Sequence, residues 1–139
     1  MFEKYHADPA VSRIIDKYLV VVHVDISKNA GGEAMYKKYG AQRGVPAWTV
    51  LDAQQKVLAD SGDGRDNVGF PYQPKEIEHY VKVLKATCAK IRDEEIKVLK
   101  TKLKAVVPED TRKLLDQGLN SRPFISSSIF CMCWMCWAA

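Results

Sequence analysis

Cysteine is nearly absent from most of this chain of 139 residues. The sequence holds four cysteines, and only Cys88 lies before residue 131. A single thiol cannot build a disulfide framework, so such a framework is excluded for the first 130 residues. None of the three histidines stands near a cysteine or a carboxylate at the spacing that a metal site requires. The main part of the chain therefore offers no disulfide or metal scaffold.

Long apolar runs and a signal-peptide pattern are also missing. The longest uncharged stretch, residues 123–139, has 17 residues and includes three serines and a proline. That stretch is at the lower limit of length for a membrane span, so we expect no membrane span. No charged segment followed by an apolar core opens the chain, which leaves a cytoplasmic location as the default. A true start upstream of Met1 would instead allow a periplasmic or secreted protein.

An excess of charge of either sign is missing from the first half of the chain. The net charge of +4 comes from residues 75–104, which hold nine basic and five acidic residues, whereas residues 1–74 hold nine of each. Glutamates are interspersed among these lysines, and no arginine cluster or aromatic interleaving accompanies them. We therefore expect no nucleic-acid binding and interpret the basic stretch as solvated helix surface.

What is present is an alternation of short helical and extended segments. A β-branched run over residues 19–26 predicts a strand that is covered on both faces in a parallel sheet. Two later strands are joined by a polar turn, which predicts an antiparallel hairpin and hence a mixed sheet. The predicted elements are a helix from Asp8-Pro9, strand 19–26, helix 32–39, strands 48–51 and 56–60, a helix from Pro74, a helix from Asp93 and a short helix over 109–117. This pattern indicates an α/β fold.

The segment Gly44-Val45-Pro46-Ala47-Trp48-Thr49-Val50-Leu51-Asp52 joins a Val-Pro dipeptide to a short apolar strand. Proline has no backbone N–H and fixes its own φ, and its ring restricts Val45 to extended geometry. Val45-Pro46 must therefore stand at the entrance of a strand and not within a central one.

Five segments carry a family resemblance: residues 8–11, 19–22, 44–52, 56–59 and 67–71. Together they resemble bacterial proteins of the thioredoxin-like family, and the resemblance covers residues 1–105. The family implies a mixed sheet flanked by helices and an activity that reduces, oxidises or isomerises disulfides. In this family a cis-proline loop faces the redox cysteines and offers the backbone of its preceding residue to an extended substrate. The resemblance thus implies that Gly44, Val45 and Pro46 bind a protein or peptide substrate.

The family's redox motif has no counterpart in this sequence. Its first strand and its Cys-x-x-Cys precede the segment that matches Met1 to Asp8, so the chain looks truncated at the N-terminus. We expect no catalytic residue, no cofactor and no oxidoreductase activity by the family mechanism. Two interpretations remain open: a redox-inactive relative of the thiol-disulfide oxidoreductases, or a thioredoxin-like module that binds peptides or proteins through Val45-Pro46.

The missing first strand leaves a gap in the centre of the expected sheet. In the family it lies between the strands that match residues 19–25 and 48–51, and it pairs with both. Unpaired inner edges invite pairing with other chains. We expect one of three outcomes: direct pairing of the two strands, a substitute strand from the C-terminal tail, or self-association.

Residues 106–139 are expected to form an appendage with one short helix and an irregular, poorly ordered tail. Residues 123–139 contain Cys131, Cys133 and Cys136 together with two tryptophans and two methionines. Four interpretations remain: a relocated redox motif, a soft-metal site built on the three thiols, a peripheral membrane contact or lipidation site, and a tail without a role in the fold.

Overall fold

The computed structural model describes residues 1–40, 44–117 and 130–136, and these form a mixed α/β structure. The helices are α1 (Phe2–His6), α2 (Pro9–Ile15), α3 (Gly32–Tyr39), α4 (Pro74–Thr87), α5 (Asp93–Val106) and α6 (Glu109–Asp116). The strands are β1 (Leu19–Asp25), β2 (Ala47–Leu51), β3 (Val57–Asp60) and β4 (Phe130–Cys136). The element order therefore follows the sequence prediction and adds α1 and β4 to it.

The four strands form one mixed sheet in the order β1-β4-β2-β3. Strand β4 is antiparallel to β1 and parallel to β2. Strands β2 and β3 form an antiparallel hairpin, with a shift of register between Val50 and Leu51. The predicted hairpin and the predicted mixed sheet are both confirmed.

Strand β4 occupies the centre of the sheet. Its Cys133 is level with Val22 on β1 and with Thr49 on β2, so both inner edges have a partner. Of the three outcomes expected for the gap, the structure shows the substitute strand from the tail. The expectation of an irregular tail is thus wrong for residues 130–136. The rest of the tail, residues 118–129 and 137–139, lies outside the described residues.

Strand β1 differs from its predicted environment. It is an edge strand that pairs with β4 on one side, and it runs antiparallel to β2 across the sheet. The side chains of Val20 and Val22 are 50% and 36% exposed, so the strand is not covered on both faces. A valine run indicates extended structure, but it does not determine which neighbours cover it. The expected parallel relation between the strands before and after α3 is also wrong.

The helix boundaries follow local capping chemistry. The Asp8 carboxylate accepts a hydrogen bond from the backbone N–H of Ala10 at 2.9 Å and caps α2, as predicted. The cap of α5 is Arg92 and not Asp93, because the Glu95 carboxylate reaches back to the Arg92 N–H at 3.1 Å. Gly40 ends α3, and its φ of −123° is not left-handed.

Aromatic side chains dominate the centre of the core. Tyr5 and Trp48 each meet the ring of Tyr80 at a steep angle, with ring centroids 6.4 and 5.8 Å apart. The rings of Phe2 and Phe70 are also steeply inclined to each other, with centroids 4.8 Å apart. This cluster joins α1, β2 and α4 to the segment after β3, and it includes Trp48, the second residue of β2.

Candidate functional site

The Val45–Pro46 loop (residues 44–46) immediately precedes β2. Gly44 has a φ of +74°, a backbone conformation that side-chain-bearing residues rarely adopt. The peptide bond between Val45 and Pro46 is cis. The strand begins at Ala47, so Pro46 stands at its entrance, as the sequence predicted.

Three residues outside this loop hold it in place, two of them directly and one through Gly69. The Asn67 side-chain amide donates a hydrogen bond from Nδ2 to the Pro46 carbonyl at 2.7 Å. A Cβ on Gly69, whose φ is +54°, would come within 3.3 Å of Pro46 Cγ, so the two residues are in close contact. The buried indole of Trp48 donates from Nε1 to the Gly69 carbonyl at 2.8 Å. The loop is therefore fixed to the core through the turn that contains Asn67 and Gly69.

The supporting turn belongs to residues 61–74, whose composition predicts a long surface loop. Residues 61–74 are rich in turn formers, and residues 63–66 are indeed exposed. Val68 and Phe70 are buried, however, and the Val68 N–H donates to the Ser61 carbonyl at 2.7 Å. Alternating apolar residues within this polar stretch were the signal that could have revealed its buried half.

The Val45 side of the Val45–Pro46 loop is exposed. The Val45 side chain is 42% exposed, although the adjoining Ala47 is buried. Within the described part of the chain, the N–H and C=O groups of Val45 make no hydrogen bond. Such groups can pair with an extended backbone from another molecule, as the groups of a sheet edge do. In this arrangement Pro46 is held in place by its neighbours, whereas the apolar side chain and the backbone of Val45 are exposed.

The three cysteines proposed as metal ligands lie along β4. Cys131 is level with Ala47, the residue after Pro46, and Cys136 is level with Leu19 at the other end of the strand. An extended strand spaces these two positions by roughly 16 Å. Metal binding by Cys131, Cys133 and Cys136 stays a prediction, and among the described residues no cluster of three acidic, histidine or cysteine side chains could hold an ion.

A pair of histidines forms a second concentration of titratable groups, which sequence reasoning did not bring together. The rings of His6 on α1 and His23 on β1 have centroids 5.4 Å apart. Burial, and to a smaller extent His23, lowers the pKa of His6 to about 3. Burial also lowers the pKa of His23. Both rings are therefore neutral at physiological pH, as packed structural side chains are.

The other features add no competing site in the described structure. Cys88 is buried at the end of α4, where burial shields its thiol from substrates. No helix within residues 1–40, 44–117 or 130–136 has the length and apolarity to cross a membrane. No family model, no curated protein and no solved structure matches this chain.

Proposed function

We propose that this protein is a redox-inactive, thioredoxin-like module that binds extended peptide or protein segments through the Val45–Pro46 loop. The observation that carries the proposal is the exposure of Val45 in this loop. Val45 offers an exposed side chain and a backbone without a hydrogen-bond partner in the described structure. Such a position suits a partner that adds backbone hydrogen bonds and one apolar contact.

The contacts that hold Pro46 in place support the same function. Asn67 and Gly69 hold Pro46 by a hydrogen bond and by direct packing. A binding segment that is already held in place loses less conformational entropy when its partner arrives. Recognition through the backbone of Val45 would tolerate many partner sequences, because every residue of an extended peptide offers the same backbone groups.

Binding is tested with a reduced and carboxymethylated protein that stays unfolded and carries no free thiol. Titration calorimetry should detect its association with the unmodified chain. We expect Val45→Asp to weaken that association about tenfold or more, because a carboxylate in an apolar contact must be desolvated. Val57→Asp is the matched control, since Val57 is 44% exposed but lies on β3. No association, or equal weakening by both variants, would reject the proposal.

Thiol-disulfide exchange is the second candidate, and the position of Cys131 beside Ala47 favours testing it. An attacking thiolate and a resolving thiol are both needed for turnover. We expect no reduction of insulin disulfides by the unmodified chain. Activity that disappears when Cys131, Cys133 and Cys136 become serine would move the function to the tail thiols. Activity that survives these changes would contradict the assignment of Cys88 as a packed structural residue.

A further inference from the structure

A groove of about 370 Å³ lies between α3, the sheet and the turn that follows β2. Its apolar lining consists of Val22, Ala34, Met35 and Leu51. Leu51 is buried, whereas Val22 is 36% exposed, so the groove extends from the core to the surface. Leu51 ends β2, and the Val45–Pro46 loop precedes the start of that strand. The groove is therefore separate from the candidate peptide site.

Three polar side chains line the same groove, namely Lys38, Tyr39 and Gln55. The Lys38 ammonium and the Tyr39 hydroxyl both donate to Oε1 of Gln55, at 3.5 and 3.4 Å. Both distances are at the long limit for a hydrogen bond. An ionised carboxylate is also a stronger acceptor than a neutral amide. A carboxylate oxygen at this point would therefore bind both donors more strongly than Gln55 does.

The groove presents a positive charge that the described part of the chain does not neutralise. The Lys38 ammonium has no carboxylate partner among the described residues. Its neighbour Lys37 instead pairs with Glu33 on the same helix at 2.7 Å. The Lys38 ammonium lies 4.7 Å from the centre of the Tyr39 ring, and this contact holds it beside the groove.

The turn after β2 fixes the position of Gln55. The φ of Gln55 is +62°, a conformation that is uncommon without glycine and that persists mainly where the surrounding structure enforces it. The Gln55 N–H donates to the Asp52 carbonyl at 3.0 Å, and the Asp52 carboxylate accepts the Lys56 N–H at 2.8 Å. The polar end of the groove is thus formed before any ligand arrives.

We propose that this groove binds a medium-chain fatty acid. The alkyl chain packs against the apolar lining, and the carboxylate takes the place of Gln55 Oε1 between the Lys38 ammonium and the Tyr39 hydroxyl. The side-chain amide of Gln55 has N–H donors of its own, which then turn towards the carboxylate. Each charged or polar group of the ligand would therefore have a partner, as a group removed from water requires.

Size and charge select this class of ligand. Pockets for small molecules occupy roughly 300–1,000 Å³, so this groove is at the lower end of the range and suits a chain of moderate length. One unneutralised ammonium matches a carboxylate, which carries one charge, better than a phosphate monoester, which carries about two. The apolar lining disfavours a sugar or another ligand without hydrocarbon surface.

Titration of the ¹⁵N-labelled unmodified chain with sodium octanoate, followed by two-dimensional ¹H–¹⁵N NMR, tests the proposal. We expect saturable shifts of the backbone amides of α3 and of residues 51–55. The uncharged 1-octanol has the same alkyl chain, and we expect it to bind about tenfold or more weakly, because it forms no ion pair with Lys38. Octanoate shifts that do not saturate, that lie outside the groove, or that match 1-octanol in affinity would overturn the proposal.

Two variants test the carboxylate and the alkyl chain separately. Lys38→Met keeps an unbranched side chain and should raise the dissociation constant of octanoate about tenfold without changing that of 1-octanol. Lys37→Met is its control and should leave both constants unchanged, because Lys37 pairs with Glu33. Val22→Asn puts an amide against the alkyl chain and should weaken both probes about threefold or more. Val98→Asn is the matched control, since Val98 is also 36% exposed but lies on α5.

The same spectra show whether each variant remains folded, and the comparison of octanoate with 1-octanol needs no variant. Equal weakening of octanoate by Lys38→Met and Lys37→Met would overturn the proposed position of the carboxylate. Fatty-acid binding does not depend on the proposed peptide binding at the Val45–Pro46 loop, so each proposal can fail without the other.

Discussion

Two residues of one turn hold Pro46 by different interactions. Asn67 holds the Pro46 carbonyl through a hydrogen bond of 2.7 Å, and Gly69 packs against the proline ring. Gly69 has a second reason to be glycine, because its φ of +54° is costly for any residue with a Cβ. The position of the candidate binding loop therefore depends on a glycine that lies outside it.

Gly69→Ala should lower the free energy of unfolding by about 2 kcal/mol or more. Part of this cost is the left-handed backbone, about 1–2 kcal/mol, and the rest is the contact between the new Cβ and Pro46. Gly31→Ala is the matched control, since Gly31 is also left-handed, with a φ of +78°, but has open space around it. Urea denaturation measures both variants. Equal losses would show that the packing of Gly69 against Pro46 contributes nothing.

The histidine pair predicts how stability depends on pH. The pKa of His6 is about 3 in the folded chain and about 6.5 in the unfolded chain. The unfolded state therefore binds more protons between these values, so stability is complete above pH 6.5 and falls as the pH decreases towards 3. The slope from this one group is at most about 1.4 kcal/mol per pH unit.

We expect His6→Phe to flatten the dependence of stability on pH between pH 5 and 6.5. Phenylalanine keeps an aromatic ring beside Phe2 and Tyr5, so packing is largely preserved. Urea midpoints at several pH values provide the measurement. A slope in His6→Phe equal to that of the unmodified chain would contradict the assignment of a buried, neutral His6.

Residue-level prediction succeeded where the constraint was local. Pro46 had to stand at a strand entrance because of its own ring and its missing N–H. The hydrogen bond from Asn67 to Pro46 spans 21 positions, and no local pattern near either residue announces it. The contacts that hold the loop could therefore be identified only from the folded structure.

At the scale of elements, the position of β4 is the feature on which the sheet depends. Without it, the inner edges of β1 and β2 would lose their partner, because no direct pairing joins these two strands. A chain that ends at residue 117 should lose its cooperative thermal transition and elute as aggregates. A chain that ends at residue 136 keeps β4 and is the matched control. A cooperative monomer from the shorter chain would show that β4 is dispensable.

Element prediction was most successful for the helices and least successful for the strands. Helix α4 is a regular amphipathic segment with one predicted apolar stripe. Four residues of that stripe are buried and Val81 is half-buried; the buried four are Ile77, Tyr80, Leu84 and Cys88. Strand β1 looked like a central strand because valine favours any extended position. Strand β4 lies more than 75 residues after its partner β2, so only a non-local arrangement assigns it a place in the sheet.

At the scale of the molecule, polar contacts join the first twenty residues of the chain to α5, which lies far from them in the sequence. The Lys17 ammonium lies 2.7 Å from the Glu95 carboxylate, and the Tyr18 hydroxyl donates to the same carboxylate at 2.8 Å. The Lys102 ammonium binds the Asp8 carboxylate at 2.7 Å. Hydrogen bonds from Lys17 and Arg92 hold the pKa of Glu95 far below its usual range. Glu95 thus receives several of the long-range polar contacts of the fold.

Glu95→Gln should lower the free energy of unfolding at pH 7 by about 2 kcal/mol, the usual value for hydrogen bonds to a buried charge. The folded pKa of Glu95 is depressed, so its contribution is complete above the ordinary glutamate pKa of 4.5 and is lost as the pH falls below it. The unmodified chain and the variant should therefore converge in stability as the pH approaches 2. Asp93→Asn removes an exposed ion pair with Lys85 and should have a much smaller effect at pH 7. Chemical denaturation at pH 7 and at pH 3 measures the free energy of unfolding of both variants. If the loss caused by Glu95→Gln does not shrink at pH 3, its origin is packing and not charge.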